Sequence, residues 1–281
     1  YMGLRKSLLQ LSGFVGISLL LGACSNTPVQ DPDLPEREYY DNAQQAFDQG
    51  RPLVAVQNLK DLDSRYPFGE FSQRAELEII YAYFLASDFI SAHANAERFI
   101  KKYPEFETID YVFYYRALST FKGSETLSTR YLNQDPSQRD SSEFIKAFRE
   151  FADLLKRFPE STYAKDAKAR MIYLRNTIAR HELQVARYYF KRSAPLAALH
   201  RSQTVLSQYP SSDSIEDALA VSVQAYIELE QDELADQNLA VLANNYPESK
   251  HLDQNGQLII PELPKDADPD FWYWATLGWM D

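Results

Sequence analysis

The sequence predicts an all-α protein in which about five helical hairpins stack into a superhelix. An aromatic–proline pair recurs five times along the 281 residues, and such self-similarity is typical of a repeat architecture. No stretch alternates apolar and polar residues as a half-buried strand does, and no strand pattern alternates with helices. The five pairs are Tyr66-Pro67, Tyr103-Pro104, Phe158-Pro159, Tyr209-Pro210 and Tyr246-Pro247.

Each pair stands at the end of a predicted helix with a fixed buried pattern. The twelfth residue before every proline is alanine, and the fifth is apolar. This pattern predicts a buried helix face, with a small residue where a neighbouring helix must pass closely. Proline then ends the helix, because it lacks the N–H that the helical hydrogen-bond ladder needs. The alanines are Ala55, Ala92, Ala147, Ala198 and Ala235, and the apolar residues are Leu62, Phe99, Leu154, Val205 and Leu242.

A second helix precedes each of these helices, so that the unit is a hairpin. We expect such helices at Tyr39 to Gln49 and at Arg74 to Ser87. Successive prolines lie 37, 55, 51 and 37 residues apart, against about 34 in a tetratricopeptide repeat. The pattern of alanine, apolar residue and proline resembles that repeat, whose units stack into a superhelix with an extended concave face.

The two longer spacings divide the chain into modules. Lys122 to Ser142 is a polar stretch rich in Ser, Thr, Gln and Asp. We expect it to be an insert between an N-terminal repeat module at 39–121 and a C-terminal module at 143–259. The fourth unit instead carries a longer helical pattern, which we expect to run from Ala164 to Lys191.

Residues 1–23 are predicted to be a secretory signal peptide. Arg5 and Lys6 precede an apolar stretch that is short for a membrane span. The stretch ends in Leu21-Gly22-Ala23-Cys24, which resembles the bacterial lipobox, where the chain is cut before the cysteine and the cysteine is lipidated. The alternative is a buried cysteine at the end of an apolar helix.

The lipobox resemblance implies that Cys24 carries N-palmitoyl and S-diacylglycerol groups and anchors the protein in a membrane. Ser25 follows the cysteine where an aspartate retains lipoproteins in the inner membrane, so the resemblance implies the outer membrane and a periplasmic orientation. Residues 24–38 would form a flexible tether. Its last 14 residues contain three prolines and span up to roughly 45 Å when extended.

Composition excludes several classes of function. Lys and Arg number 29 against 40 Asp and Glu, which gives a formal net charge of −11. No basic block stands out, which argues against nucleic acid as a partner. One cysteine cannot form an intramolecular disulfide or a cysteine-based metal cluster. The nine glycines are too scattered for a phosphate-binding loop.

We find no catalytic signature and predict that the protein is not an enzyme, with no cofactor and no metal site. The sequence lacks a Gly-x-Ser-x-Gly elbow and a His-Glu-x-x-His motif. The histidines are interpreted as exposed helix side chains that belong to no cluster; they are His93, His181, His200 and His251. An envelope hydrolase would need a nucleophile or metal site that the sequence does not offer.

Aromatic residues suggest a binding scaffold. The chain has 19 Tyr and 16 Phe, most of which are expected in the core. Some fall where repeats meet solvent, and Tyr together with Arg is typical of protein-recognition hot spots. Such a groove would suit an extended peptide with alternating side chains. The candidate groove residues are Tyr66, Phe68, Tyr81, Tyr83, Tyr111, Tyr114 and Arg116.

Several segments, in order along the chain, resemble the BamD family of outer-membrane lipoproteins of the β-barrel assembly (BAM) machinery. They include Arg65-Tyr66-Pro67-Phe68-Gly69, Tyr81-Ala82-Tyr83, Ile109-Asp110-Tyr111 and Tyr188-Tyr189. The resemblance covers roughly Tyr39 to Pro247. It implies five tetratricopeptide repeats, no enzymatic activity, and a role in the insertion of β-barrel proteins into the outer membrane.

The resemblance also implies partners. N-terminal repeats would recognise unfolded outer-membrane proteins, and C-terminal repeats would dock onto BamA, alongside accessory BAM lipoproteins. The family's docking arginine matches Arg201, and Arg187 and Tyr188 are further docking candidates. The alternative function is a periplasmic repeat adaptor lipoprotein that coordinates cell-wall synthesis or division.

The aromatic tail, residues 260–281, is longer than the end typical of the family. It holds all three tryptophans of the chain, Trp272, Trp274 and Trp279. One interpretation is a short helix that caps the exposed end of the superhelix. The other is an added contact with a partner or a membrane interface, since Trp and Tyr favour surfaces that are apolar at one end and wet at the other.

Overall fold

The computed structural model describes residues 34–131 and 141–260. The predicted signal peptide, Cys24, most of the tether, residues 132–140 and the tail from 261 onward lie outside the described residues. The described residues form these helices: α1 Glu36–Asp48, α2 Pro52–Arg65, α3 Ser72–Leu85, α4 Phe89–Lys102, α5 Ile109–Tyr131, α6 Ser142–Arg157, α7 Ala164–Lys191, α8 Pro195–Gln208, α9 Ile215–Glu228 and α10 Asp232–Asn245.

The helices pair into five hairpins, which confirms the predicted all-α repeat fold. Each helix packs against the next one along the chain. Helices α3 and α5 also contact each other, as do α7 and α9. Contacts that skip one helix arise on the inner side of a curved stack. The odd-numbered helices therefore line the concave face.

The aromatic residue of every aromatic–proline pair is the C-cap of an even-numbered helix. Its backbone N–H donates to the carbonyl of the apolar residue four positions earlier. That apolar residue is at most 1% exposed in all five repeats. The proline stop and the buried position thus fix where each second helix ends.

The repeat alanines are buried, as the sequence pattern predicts. Four of them are 0% exposed, and Ala235 is 5% exposed. A larger side chain would push the neighbouring helix away, because protein interiors have no spare volume.

The long third and fourth units are built from long first helices. Helix α5 continues to Tyr131 and so extends into the polar insert, whereas α7 has the predicted bounds of Ala164 and Lys191. None of the helices in the described ranges is long and apolar enough to cross a membrane.

Four turns between the two helices of a hairpin contain a residue with positive φ. Gly50 has φ 65°, and glycine adopts this conformation without strain. The other three are Ser87 at 59°, Ser193 at 53° and Glu230 at 59°. A positive φ closes the C-terminus of a helix by a tight turn, which here sends the chain straight into the next helix.

A short segment after α10 folds back onto α9. Ser249 donates a 2.6 Å hydrogen bond to Glu216, while Lys250 and His251 reach the Asp217 carboxylate at 2.9 and 2.6 Å. One isolated antiparallel bridge joins Leu252 to Leu258, and both leucines pack on the α9 and α10 core. Asp217 is therefore the main polar anchor of this segment.

We expect Ala147→Leu to destabilise the protein by about 1–3 kcal/mol, because the added methyl groups have no room at this buried position. Ala169→Leu is the matched control, since Ala169 is exposed on α7 and its replacement should change stability by less than about 0.5 kcal/mol. Urea unfolding followed by circular dichroism measures both values. Equal stability of the two variants would contradict tight packing around Ala147.

Burial alone would raise the pKa of Asp217, but hydrogen bonds from His251 and Lys250 outweigh it and hold the pKa below its usual value. We expect Asp217→Asn to lower the free energy of unfolding at neutral pH by roughly 1–3 kcal/mol. The contribution of a carboxyl with a depressed pKa is full above the ordinary Asp pKa of about 3.9. It is lost as the pH falls through the lower folded-state pKa.

Unfolding curves of wild type and Asp217→Asn should therefore converge in acid, and urea titrations over a pH series test this. The control is Asp213→Asn, because Asp213 is 49% exposed and 3.7 Å from its partner Arg180. A stability difference between wild type and Asp217→Asn that did not change with pH would contradict the assignment.

Candidate functional site

Five aromatic rings follow one another along the concave face, and we call them the inner aromatic row: Phe47, Tyr81, Tyr115, Tyr111 and Tyr163. Successive ring centroids lie 6.1, 5.8, 4.5 and 6.1 Å apart. All five side chains are partly buried. Each ring is thus held by its neighbours while part of its surface remains open to a ligand.

The row follows from helix periodicity. Tyr111 and Tyr115 stand at i and i+4 on α5, so they share one face. Tyr81 lies on α3, which meets α5 on the inner side. Burial raises the pKa of Tyr111 and of Tyr115, so both phenols stay protonated at neutral pH and can donate hydrogen bonds.

Tyr114 lies beneath the row and is only 9% exposed. Its ring stacks on Tyr163 at 4.6 Å, and its hydroxyl donates to Asp166 at 2.7 Å. Arg170 donates to the same carboxylate at 2.6 Å. Burial and the Asp166 hydrogen bond raise the pKa of Tyr114 to about 12. Tyr114 therefore positions Tyr163 and has little free surface of its own.

Arg116 is also buried, with 8% exposure. Its two amino groups donate to Glu97 and Asp153, each at 3.0 Å, and its guanidinium lies over the Phe113 ring. These partners belong to α4 and α6. Arg116 thus joins three helices through its ion pairs and is not an open groove residue.

Three other predicted groove residues lie apart from the row. Tyr66 donates its hydroxyl to the Leu34 carbonyl at 2.8 Å, and the Tyr83 hydroxyl accepts a hydrogen bond from Lys60. Phe68 is 100% exposed in the turn between α2 and α3. The structure therefore brings together Tyr81 and Tyr111, with Tyr114 behind them.

The row also contains Phe47, Tyr115 and Tyr163, which are not among the candidate groove residues predicted from the sequence. A repeated spacing in the sequence could have identified Phe47. Phe47, Phe84 and Phe190 each stand eight residues before a repeat alanine. Phe84 contacts the row through Tyr115, at a centroid distance of 5.1 Å. Tyr163 follows a Pro-Glu-Ser-Thr turn, and only the fold shows that it meets Tyr111.

The C-terminal candidates lie on two helices, with Arg187 and Tyr188 on α7 and Arg201 on α8. Arg201 pairs with the buried Glu182 at 3.1 Å, whereas Arg187 lies 3.5 Å from Asp217 on α9. Tyr188 is 54% exposed. Tyr188 and Arg187 therefore remain open to a partner, while Arg201 also has a structural role.

The expectation that the histidines are exposed is wrong for three of them, because His93, His181 and His251 are partly buried and His200 alone of the four is exposed. His93 and His251 also meet carboxylates. His93 lies 2.8 Å from Glu150, and His251 lies 2.6 Å from Asp217. The ligand atoms of His93, Glu97 and Glu150 all fall within 4.8 Å of one another. Glu97 and Glu150 already accept hydrogen bonds from Arg116 and Thr120, so this group serves as a polar contact between repeats.

Comparison with known proteins agrees with this architecture. A family model (YfiO) described as an outer membrane lipoprotein matches residues 32–242. The outer membrane protein assembly factor BamD of Vibrio cholerae is 38% identical over 219 residues, covering 78% of this chain and 90% of the relative. BamD of Neisseria meningitidis is 33% identical over 246 residues, covering 85% and 92%.

BamD of Pasteurella multocida is 32% identical over 264 residues, covering 93% of this chain and 97% of the relative. The similarity therefore extends over the repeats and beyond the family model. The chain belongs to the BamD (YfiO) family of outer membrane lipoproteins.

Proposed function

We propose that this protein is a non-catalytic scaffold for outer membrane protein assembly, tethered by lipidated Cys24 to the outer membrane and facing the periplasm. Membership of the BamD family supports the assembly role. The inner aromatic row is the observation that carries the mechanism, since it supplies a long, partly exposed surface without a catalytic constellation.

The inner aromatic row would bind an unfolded β-barrel precursor in extended form. Alternate side chains of an extended strand lie about 6.6 Å apart. The ring-to-ring steps from Phe47 to Tyr81 and from Tyr81 to Tyr115 are 6.1 and 5.8 Å. Successive outward side chains of such a strand can therefore each meet one ring, while the phenol hydroxyls donate to peptide carbonyls.

Docking onto BamA, with accessory BAM lipoproteins nearby, is assigned to the C-terminal repeats. Tyr188 supplies exposed aromatic surface there, and Arg187 and Arg201 supply cationic groups with 48% and 41% side-chain exposure. Tyr and Arg are the residue types most enriched at interface hot spots. The scaffold would thus hold the precursor at one end and the insertion machinery at the other.

We expect Tyr81→Ala to weaken binding of a fluorescent peptide copied from an amphipathic barrel strand by about tenfold, since an interface aromatic contributes more than about 1 kcal/mol. Tyr83→Ala is the matched control, because Tyr83 lies on the same helix, pairs with Lys60 and lies outside the row. Fluorescence anisotropy measures both affinities, and thermal melts check folding. Equal losses in the two variants would place the peptide elsewhere.

Mild-detergent solubilisation of the outer membrane with a tagged protein should copurify a large barrel protein in stoichiometric amount. We expect Tyr188→Ala and Arg201→Ala to reduce that amount several-fold, since each removes a hot-spot residue. Tyr188→Ala separates docking from stability, because this exposed ring is not a core residue. His200→Ala, also exposed, is the control. Recovery of cell-wall or division proteins instead of a barrel protein would overturn the proposed function.

A further inference from the structure

A partly enclosed cavity lies at the C-terminal end of the superhelix. It has a volume of about 220 Å³ and opens between α7, α9 and the segment that folds back after α10. Phe190, Val221, Leu258 and Ile259 supply its apolar lining. An apolar cavity of about 150 Å³ holds a benzene ring, so this cavity has room for one aromatic side chain.

Arg187 and Asp217 are the charged residues that line the cavity together with His251, and Lys250 next to it pairs with Asp217. Asp217 is the acid at the rim, and Lys250 and His251 reach it at 2.9 and 2.6 Å. The guanidinium of Arg187, also at the rim, lies farther away at 3.5 Å and is 48% exposed. Two permanent cations thus face one carboxylate. The cavity therefore suits an aromatic group that is accompanied by an acidic one.

We propose that this cavity is a binding site for the aromatic tail of the chain itself, with a ring from Phe271-Trp272-Tyr273-Trp274 in the cavity and an adjacent aspartate at Arg187. The tail has the required composition. Residues 260–281 contain five acids against the single base Lys265, and Asp270 directly precedes the aromatic run. This inference goes beyond the proposed function and does not depend on it; the two share Arg187, so a bound tail would occupy one of the proposed docking residues.

Chain length allows the contact. Ile259 lines the cavity itself, so the tail starts at the rim. Ten residues separate Ile260 from Phe271, and they reach up to roughly 35 Å when extended. The aromatic run can therefore fold back to the cavity without strain in the linker.

A second apolar surface is less suitable. The outer face of α10 exposes Leu234 and Val241, at 39% and 45%. The same helix exposes the acids Asp232, Glu233 and Asp236. They would repel an acidic tail, whereas the cavity rim attracts it. Charge complementarity thus favours the cavity over the end of the superhelix.

Intrinsic tryptophan fluorescence of the full chain tests the proposal, because all three tryptophans lie in the tail. We expect blue-shifted emission and an acrylamide quenching constant well below that of a synthetic peptide of residues 260–281. Arg187→Glu should raise the quenching constant about twofold or more toward the peptide value, because it replaces attraction of the acidic tail with repulsion. Ile259→Asp should also raise the quenching constant, because it places a charge in the apolar lining of the cavity.

Arg180→Glu is the matched control, since Arg180 lies on the same helix with the same 48% exposure but pairs with Asp213. It should leave the quenching unchanged, and circular dichroism confirms folding of all variants. Tryptophans that are exposed in the wild type overturn the proposal. Protection that survives both cavity variants places the tail elsewhere and also overturns it. Protection that is lost on dilution assigns the cavity to the tail of a second copy.

Discussion

The burial of one small residue, the repeat alanine, in every second helix is the constraint on which the rest of the structure depends. A single hairpin cannot bury both faces of its helices, so every unit needs its neighbours. The alanine lets the adjoining helix come near, and the aromatic–proline pair ends the helix at the same level in each unit. The alanine and the aromatic–proline pair recur in all five units. The regular stacking that results places the odd-numbered helices, and with them the inner aromatic row, on the concave side.

Ion pairs join neighbouring helices, both within a repeat and between repeats. Arg116 links α4 and α6 through Glu97 and Asp153, and Arg201 joins α8 to Glu182 of α7. Removing one partner of a buried ion pair leaves an uncompensated charge, which costs more than the intact pair contributes. Residues chosen from sequence as binding candidates can therefore also hold the stack together, as Arg116 does.

Much of the fold could be predicted because its rules act over short distances. The spacing of alanine, apolar residue and proline lies within thirteen residues, and it located the end of every second helix. Local spacing was less able to predict which aromatic side chains line the groove. Tyr114 and Tyr115 are neighbours in sequence, yet one is buried against Asp166 and the other meets Tyr81 on the concave face. Only the orientation of α5 between its neighbours separates the two.

The sequence by itself determined the repeat number, the helix ends and the scarcity of catalytic motifs, because each follows from residues close together along the chain. The tertiary structure decided which side chains meet. His93 and Glu150 are 57 residues apart, and Tyr114 and Asp166 are 52 apart. The cavity beside Arg187 is closed by a segment that folds back from beyond α10. Such contacts depend on how helices stack, and helix stacking is a property of the whole chain that no local pattern records.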